Sequence, residues 1–556
     1  MRRIIFSICL LLCLNIAAQP AWVKKAAKSI FTIKTFADDG SMIASSNGFF
    51  INESGDAISG FSPFKGASKA IVIDAQGKEY EVEYILGANE TYDVVKFKTN
   101  NKKSIPLSIS ATEADDSTTV WLLPYSAKKT PLCHKGVINK AEVISTEYKY
   151  YTISANVTDN VICCPFLNEN GEVIGIMQES SKSDEGICYA VSARFANDLK
   201  LSGLSINDPV LKSTNIKKSL PEDVDQAILT LYIANGSLDS VAYRNLVEDF
   251  IEKFPNSADG YIYRAQIEWD ENNFGNVDKD IEKAFEITDK KDDVHFTYAR
   301  LIFSKEIYKN NIEYSNWNIE KAISETDMAY SINPLPTYKQ LKAQILFYKK
   351  DYQGAYDIYK QITDNGNKTP ELFFEQAKCK ELLNDTLATI ALLDSALNTF
   401  NKPYLKEAAP YLFARAQTLF SAGQYRKAVF DYNEYEKLIA TGLNDRFYYI
   451  RFQAEVNGNL FQQALNDINK AIEINPNNTI YYAEKASLEV RVNLYDDAIN
   501  TAKECIKVDP NNSDGYLFLG LALCLKGEKV EGTKNLEKAK ELGDNQAQGL
   551  IEKYGK

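Results

Sequence analysis

Few residues in this chain could act as a general base or as a thiol nucleophile. Its 556 residues include only two histidines, His134 and His295, and nine cysteines, of which Cys163 and Cys164 are adjacent. A thiolate is a strong nucleophile, but forming it requires a neighbouring base or a positive charge that lowers the thiol pKa. Hydrolysis by this chain therefore depends on a base that lies within reach of a thiol or a hydroxyl.

Four short blocks follow the order and spacing of a known protease family. They read SNGFFI at 46–51, GDAISGFS at 55–62, YDVVK at 92–96 and NVICCP at 160–165. They resemble the motifs G-S-G-F-I-I, G-Y-I-L-T-N-A-H, T-D-L-A-V and G-N-S-G-G-P of trypsin-like serine proteases of the HtrA type. The resemblance extends from about residue 29 to about residue 204 and implies a double β-barrel. Short apolar runs separated by turn signals, with no helical pattern between them, independently favour an all-β barrel or sandwich there.

The resemblance also assigns the positions of a catalytic triad. Ser62 takes the histidine position, Asp93 the aspartate position and Ile162 the nucleophile position. Isoleucine has no nucleophilic atom, and serine is not a general base near neutral pH. Loss of either group costs roughly a millionfold in a protease of the same mechanism. We therefore predict that no catalytic triad is intact, although family membership alone implies an active serine endopeptidase.

A substitute nucleophile is the main alternative to inactivity. Cys163 lies one residue beyond the nucleophile position, but neither histidine falls at a triad position. His134 precedes a predicted strand, and His295 lies in the helical half. Cysteines 163 and 164 and Asn160 replace glycines of the family motif, so we expect a disturbed loop backbone. A rescued cysteine protease is disfavoured.

The first residues predict export. Two arginines precede a short apolar run that ends in Ala17-Ala18, as in a secretory signal peptide cleaved near Ala18. No later segment reads as a membrane helix, so we expect a periplasmic or secreted soluble protein. The net charge of −12 argues against nucleic acid as a partner. The sequence indicates no cofactor.

The remaining cysteines divide between the two halves of the chain. Cys133, Cys163, Cys164 and Cys188 lie in the protease-like half, where the resembled fold brings their strands together. One disulfide among them is plausible in an oxidising compartment, and buried thiols are the alternative. A metal site formed with His134 would match no familiar zinc spacing. The late cysteines occupy positions that predict core packing, and these are Cys379, Cys505 and Cys524.

The second half of the chain is repetitive. Pro476 and Pro510 lie 34 residues apart, and each ends a run with alanine or cysteine at matching positions. This pattern resembles the tetratricopeptide repeat (TPR), which implies antiparallel helix pairs stacked into a superhelix with a concave face that binds protein segments. The predicted organisation is a signal peptide at 1–18, the trypsin-like domain at 19–205, a polar linker at 206–222 and about nine helical hairpins at 223–556.

The fold class expected is therefore a trypsin-like double β-barrel followed by an all-α TPR superhelix, and the expected function is an exported protein-binding scaffold. Two alternative interpretations of the function stay open. One is an active protease that uses the repeats to recruit substrates or partners, and the other is a structural repeat protein whose β-domain is a folding cap. An insertion at 309–318 is a second candidate surface, with a packed helix extension as its alternative. The aromatic residues proposed as partner contacts, each of which could instead be a packing residue, are Tyr261, Tyr338, Tyr448, Tyr482, Tyr314 and Trp317.

Overall fold

A computed structural model describes residues 19–128, 130–144, 147–157, 160–178, 186–439 and 441–555. The predicted signal peptide lies outside these residues. The chain divides into two compact units, residues 1–288 and 289–556, here called unit one and unit two. Unit one contains the β-strands and the first helices, and unit two contains only helices among its described elements.

The first six strands form a closed antiparallel barrel. Their order around the barrel is β1-β2-β3-β6-β5-β4. Alternate residues face its interior, where rings such as Phe31, Phe50 and Phe97 are fully buried, because side chains on a strand alternate between its two faces. The strands are β1 (Ile30–Phe36), β2 (Met42–Phe50), β3 (Asp56–Ser59), β4 (Lys69–Ile73), β5 (Glu79–Asn89) and β6 (Val94–Thr99).

The next six strands close a second antiparallel barrel with the order β10-β11-β12-β9-β8-β7. A separate apolar core that includes Tyr151 and Phe166 fills it. A further core joins the two barrels, because Phe49 and Val94 of the first pack with Leu167 and Val191 of the second. The strands are β7 (Thr119–Leu122), β8 (His134–Val143), β9 (Lys149–Ala155), β10 (Pro165–Leu167), β11 (Val173–Met177) and β12 (Ile187–Ser192).

The short helix α1 (Val23–Ala26) precedes the barrels, and residues 201–221 follow them. This later segment covers most of the predicted linker and contains helix α2 (Pro209–Lys212). Leu211 and Ile216 are buried in the core of the first barrel. The Lys217 carbonyl accepts a hydrogen bond from the Ile85 N–H on β5, and the Ser219 N–H donates one to the Ile85 carbonyl. The segment is polar in sequence, yet it packs on the barrel.

Nineteen further described helices form nine consecutive pairs and a final helix. The predicted fold class, two β-barrels followed by an all-α region, is confirmed. In unit one the helices are α3 (Val224–Ala234), α4 (Ser240–Lys253), α5 (Ala258–Asp270) and α6 (Phe274–Ile287). In unit two they are α7 (Lys291–Tyr308), α8 (Ile319–Ile332), α9 (Pro336–Tyr348), α10 (Tyr352–Asp364), α11 (Pro370–Leu382), α12 (Thr386–Leu397), α13 (Ala409–Ser421), α14 (Tyr425–Leu438), α15 (Asp445–Asn457), α16 (Phe461–Ile474), α17 (Thr479–Arg491), α18 (Tyr495–Val508), α19 (Ser513–Lys526), α20 (Lys529–Glu541) and α21 (Ala547–Tyr554).

A recurring turn separates the two helices of a pair. Its residue in the left-handed conformation is often asparagine, as at Asn384, Asn459 and Asn493, whose φ angles are 59°, 56° and 63°. Asparagine tolerates this conformation better than most residues, and the turn satisfies carbonyl groups at the end of the first helix. Side-chain caps such as Asn444 and Asn512 start several of the first helices.

A buried ion pair recurs within the helix pairs. Arg451 on α15 forms a bidentate contact with Asp467 on α16, with Nε to Oδ2 at 2.6 Å and Nη2 to Oδ1 at 2.9 Å. Arg451 is only 4% exposed and Asp467 only 3% exposed. Arg415 and Asp431 repeat this contact on α13 and α14 with the same spacing of 16 residues. Each of these two ion pairs connects the first helix of a helix pair to its second helix, through the interior between them.

Gly532 allows the two helices of the last pair, α19 and α20, to approach closely. A Cβ on Gly532 of α20 would lie 2.5 Å from Cys524 Sγ and 2.8 Å from the Cys524 backbone nitrogen on α19. We expect Gly532→Ala to lower the free energy of unfolding by about 1–3 kcal/mol, because the helices must separate. The matched control is Gly549→Ala on α21, where a Cβ would meet nothing within 4 Å. Denaturant unfolding checks this; equal effects of the two variants would contradict it.

Candidate functional site

The residues predicted to stand at the histidine and aspartate positions come together at one edge of the first barrel. Ser62 follows β3 and Asp93 directly precedes β6, and these two strands are neighbours in the sheet. The Ser62 backbone N–H and its hydroxyl both donate to Asp93 Oδ1, at 2.6 Å and 2.8 Å. Asp93 therefore fixes the hydroxyl of an exposed serine.

The loop at the nucleophile position, residues 160–164, directly precedes β10 of the second barrel. The Asn47 side-chain amide on β2 donates to the Asn160 carbonyl at 2.9 Å and to the Ile162 carbonyl at 3.1 Å, which ties this loop to the first barrel. The Ile162 side chain is half-buried against the core between the barrels. The side chain at the predicted nucleophile position is therefore apolar.

Two residues of this loop have the backbone conformation that favours glycine. The φ angles of Asn160 and Cys163 are 64° and 65°. Asparagine adopts this region readily, whereas for cysteine it costs about 1–3 kcal/mol. Two of the three residues predicted to stand in place of glycines therefore have left-handed backbone.

Cys163 lies near Asp93 but is closed to substrate. A Cβ on Gly60 would lie 2.6 Å from Cys163 Sγ and 3.1 Å from Asp93 Oδ2, so both atoms border the same face of Gly60. The side chain of Cys163 is only 1% exposed and belongs to the core between the barrels. A nucleophile must reach a substrate carbonyl, and this sulfur does not reach the surface.

The two histidines lie on other elements. His134 is the first residue of β8 and pairs with Leu122 of β7, as expected for a strand-end residue. His295 lies on α7 in unit two, where its Nδ1 is 2.6 Å from Glu325 Oε2. The Asp93 Oδ1 atom accepts its hydrogen bonds from Ser62.

The cysteines of the β-region belong to two cores. Cys133 and Cys163 pack in the core between the barrels, and Cys164 and Cys188 pack inside the second barrel. Burial raises the pKa of Cys133 and of Cys188, and it raises the pKa of Cys164 to about 12. These thiols are therefore protonated and weakly nucleophilic near neutral pH. The disulfide among these four residues stays a prediction.

Two of the aromatic residues proposed as partner contacts are buried, so the structure does not place them on an open surface. Tyr338 is 2% exposed and donates to Asp292 Oδ2 at 2.8 Å. Trp317 is 3% exposed, and its indole N–H donates to the Tyr298 hydroxyl at 3.2 Å. Tyr314 is half-buried with its ring edge-on to Trp317 at 5.6 Å. The segment 309–318 lies between α7 and α8 with its tryptophan packed inside.

The other tyrosines share one position in the repeats. Tyr448 and Tyr482 are each the fourth residue of a first helix in unit two, and both are half-buried. The Lys470 ammonium lies 4.9 Å from the centre of the Tyr448 ring, and the Tyr482 hydroxyl donates to the Pro476 carbonyl at 3.1 Å. Sequence reasoning missed Phe373 and Tyr516, which occupy the same position. Tyr261 has this position on α5 in unit one.

The described helices include no segment with both the length and the hydrophobicity of a membrane span.

No family model matches the sequence, and no curated protein matches it either. The structure is similar to the active form of Rv3671c protease from M. tuberculosis, with 17% identity and a TM-score of 0.30, over 37% of this chain and 88% of that chain. It is also similar to a serine endoprotease from Yersinia pestis, with 18% identity and a TM-score of 0.28, over 32% of this chain and 62% of that chain.

Proposed function

We propose that this protein is an exported binding scaffold in which a trypsin-like domain has lost catalysis and a TPR-like array binds protein or peptide partners. The observation that carries this proposal is the pair formed by Ser62 and Asp93, with the apolar Ile162 at the nucleophile position. The mechanism requires a hydroxyl or thiol that attacks and a base that takes its proton. At these positions the chain supplies neither.

Labelling with a fluorophosphonate probe tests the loss of catalysis. The probe reacts covalently with an activated serine, so we expect the unmodified chain and Ile162→Ala to show the same background. Labelling that survives Ile162→Ala but disappears when one other serine is replaced would establish an enzyme. The comparison separates inactivity from an unrecognised active site.

Partner binding belongs, in this proposal, to the helix pairs. Stacked pairs present an extended surface whereas the β-domain has lost the groups that gave its cleft a reaction. The aromatic row formed by Phe373, Tyr448, Tyr482 and Tyr516 supports it, because half-buried aromatic side chains are frequent at the centres of protein interfaces. Their partial burial fixes the rings and lowers the entropy cost of binding.

Replacing two members of this row tests the binding surface. We expect the double variant Tyr448→Ala and Tyr482→Ala to lose partners that the unmodified full chain retains from the exported fraction, since each interface aromatic commonly contributes more than 1 kcal/mol. Phe430→Ala is the matched control, because Phe430 is 60% exposed on the second helix α14. Unchanged capture of partners by the double variant, or loss of capture by the control only, would mean that the binding surface lies elsewhere.

A further inference from the structure

A cavity of about 440 Å³ lies in unit one between residues 201–221 and the helices α3 and α4. Its volume falls within the range of small-molecule sites, about 300–1,000 Å³. Most of the surface inside it is apolar, and the aliphatic lining residues include Leu201, Ile206, Leu211, Leu220, Leu238 and Leu246. Such a wall accepts an apolar chain.

Three lysines and one aspartate also line this cavity. Lys217 and Asp249 form an ion pair at 2.7 Å. The other two ammonium groups bond to neutral oxygens, since Lys212 donates to the Asn207 side-chain oxygen at 3.0 Å and Lys218 donates to the Thr214 carbonyl. Among the described residues, neither of these two is paired with a carboxylate, so the lining carries a positive charge.

Lys218 is the cation best placed to fix a ligand. It lies on the short segment that pairs with β5, and its backbone is held there by a bridge to Ile85. It is half-buried, and this burial lowers its pKa. An ammonium has three N–H donors, of which the Thr214 carbonyl takes one. A ligand anion would both accept a hydrogen bond and offset the cost of burying this charge.

We propose that this cavity binds an aliphatic carboxylate, with the chain against the leucines and the carboxylate at Lys218. The ligand class follows from the two parts of the lining: a largely apolar surface, which favours an aliphatic chain, and Lys218, which forms no ion pair with any described carboxylate. The cavity is built from the segment after the barrels and from the first helix pair. Its occupation would therefore stabilise the packing of these elements within unit one.

Calorimetric titration of the full chain with laurate, and with dodecanol as its uncharged counterpart, tests the proposal. We expect saturable binding of laurate that Lys218→Met weakens by about tenfold or more, since a charge-assisted hydrogen bond is lost, with little change for dodecanol. Lys102→Met is the control, because it removes an exposed lysine of the first barrel.

A second variant examines the apolar wall. Ala242→Trp, on the lining of the cavity, should abolish binding of both probes while thermal unfolding shows that unit one still folds. If this variant does not fold, the laurate response of Lys218→Met decides the question alone. Absence of saturable laurate binding, equal binding of the two probes, or laurate binding that Lys218→Met leaves unchanged would overturn the proposal.

Discussion

Replacing Arg451 by methionine is expected to destabilise unit two by about 3–5 kcal/mol. The guanidinium contacts Asp467 by two hydrogen bonds and Glu436 by one at 2.6 Å. Asp467 is almost fully buried, so removing Arg451 leaves a carboxylate without compensation in a region of low dielectric. Denaturant unfolding followed by far-UV circular dichroism measures the loss.

The control for this variant is an exposed ion pair in the same unit. Lys507 lies 3.1 Å from Glu504 on the surface of α18. Lys507→Met should change stability little, because exposed pairs contribute little in water. A similar small effect of both variants would show that the buried pair is not needed for the packing of α15 and α16.

The pH dependence of stability should change when Glu455 is replaced by glutamine. Burial, together with the charge of Asp467, raises the pKa of Glu455 from 4.5 to about 8. The folded protein therefore holds this proton more tightly than the unfolded chain. The resulting stability is present below about pH 4.5 and is lost as the pH rises toward 8. Glu455→Gln should remove this loss, which is on the order of 5 kcal/mol at the alkaline end.

Unfolding curves at several values of pH measure this effect. Glu473→Gln is the matched control, because Glu473 is exposed on the neighbouring helix α16. We expect its curves to keep the pH dependence of the unmodified chain. A Glu455→Gln variant with the same pH dependence would mean that Glu455 is ionised in the folded state.

The sequence was informative where local chemistry determines the structure. Alternating apolar runs indicated strands, and the spacing of alanines and prolines indicated helix pairs; both classes of element are present. The three motif blocks around Ser62, Asp93 and Ile162 could be placed because each is short and lies next to a strand end. Their proximity follows from the neighbouring strands β3 and β6 and from the contacts of Asn47.

Other features depend on contacts that the sequence does not reveal. The segment 206–222 mixes aliphatic residues with asparagine, aspartate and lysine, yet two of its residues, Leu211 and Ile216, pack in the core of the first barrel. Tyr338 and Trp317 could not be distinguished from surface aromatics, because their burial reflects packing against α7, to which they donate hydrogen bonds at Asp292 and Tyr298. The asparagine that recurs after the first helix of several pairs was a usable signal for the turn in those pairs.

Hydrolysis of casein by the purified unmodified chain is the most direct test of the claim that the trypsin-like domain is inactive. The same assay is run on the variants Ile162→Ala and Cys163→Ala. They remove the residue at the predicted nucleophile position and the thiol next to it. We predict the same background rate for all three proteins, because Ile162 and Ser62 would supply neither an attacking group nor a base at the predicted triad positions. Turnover by the unmodified chain that disappears in Cys163→Ala, or in a variant of any one serine, would contradict the account.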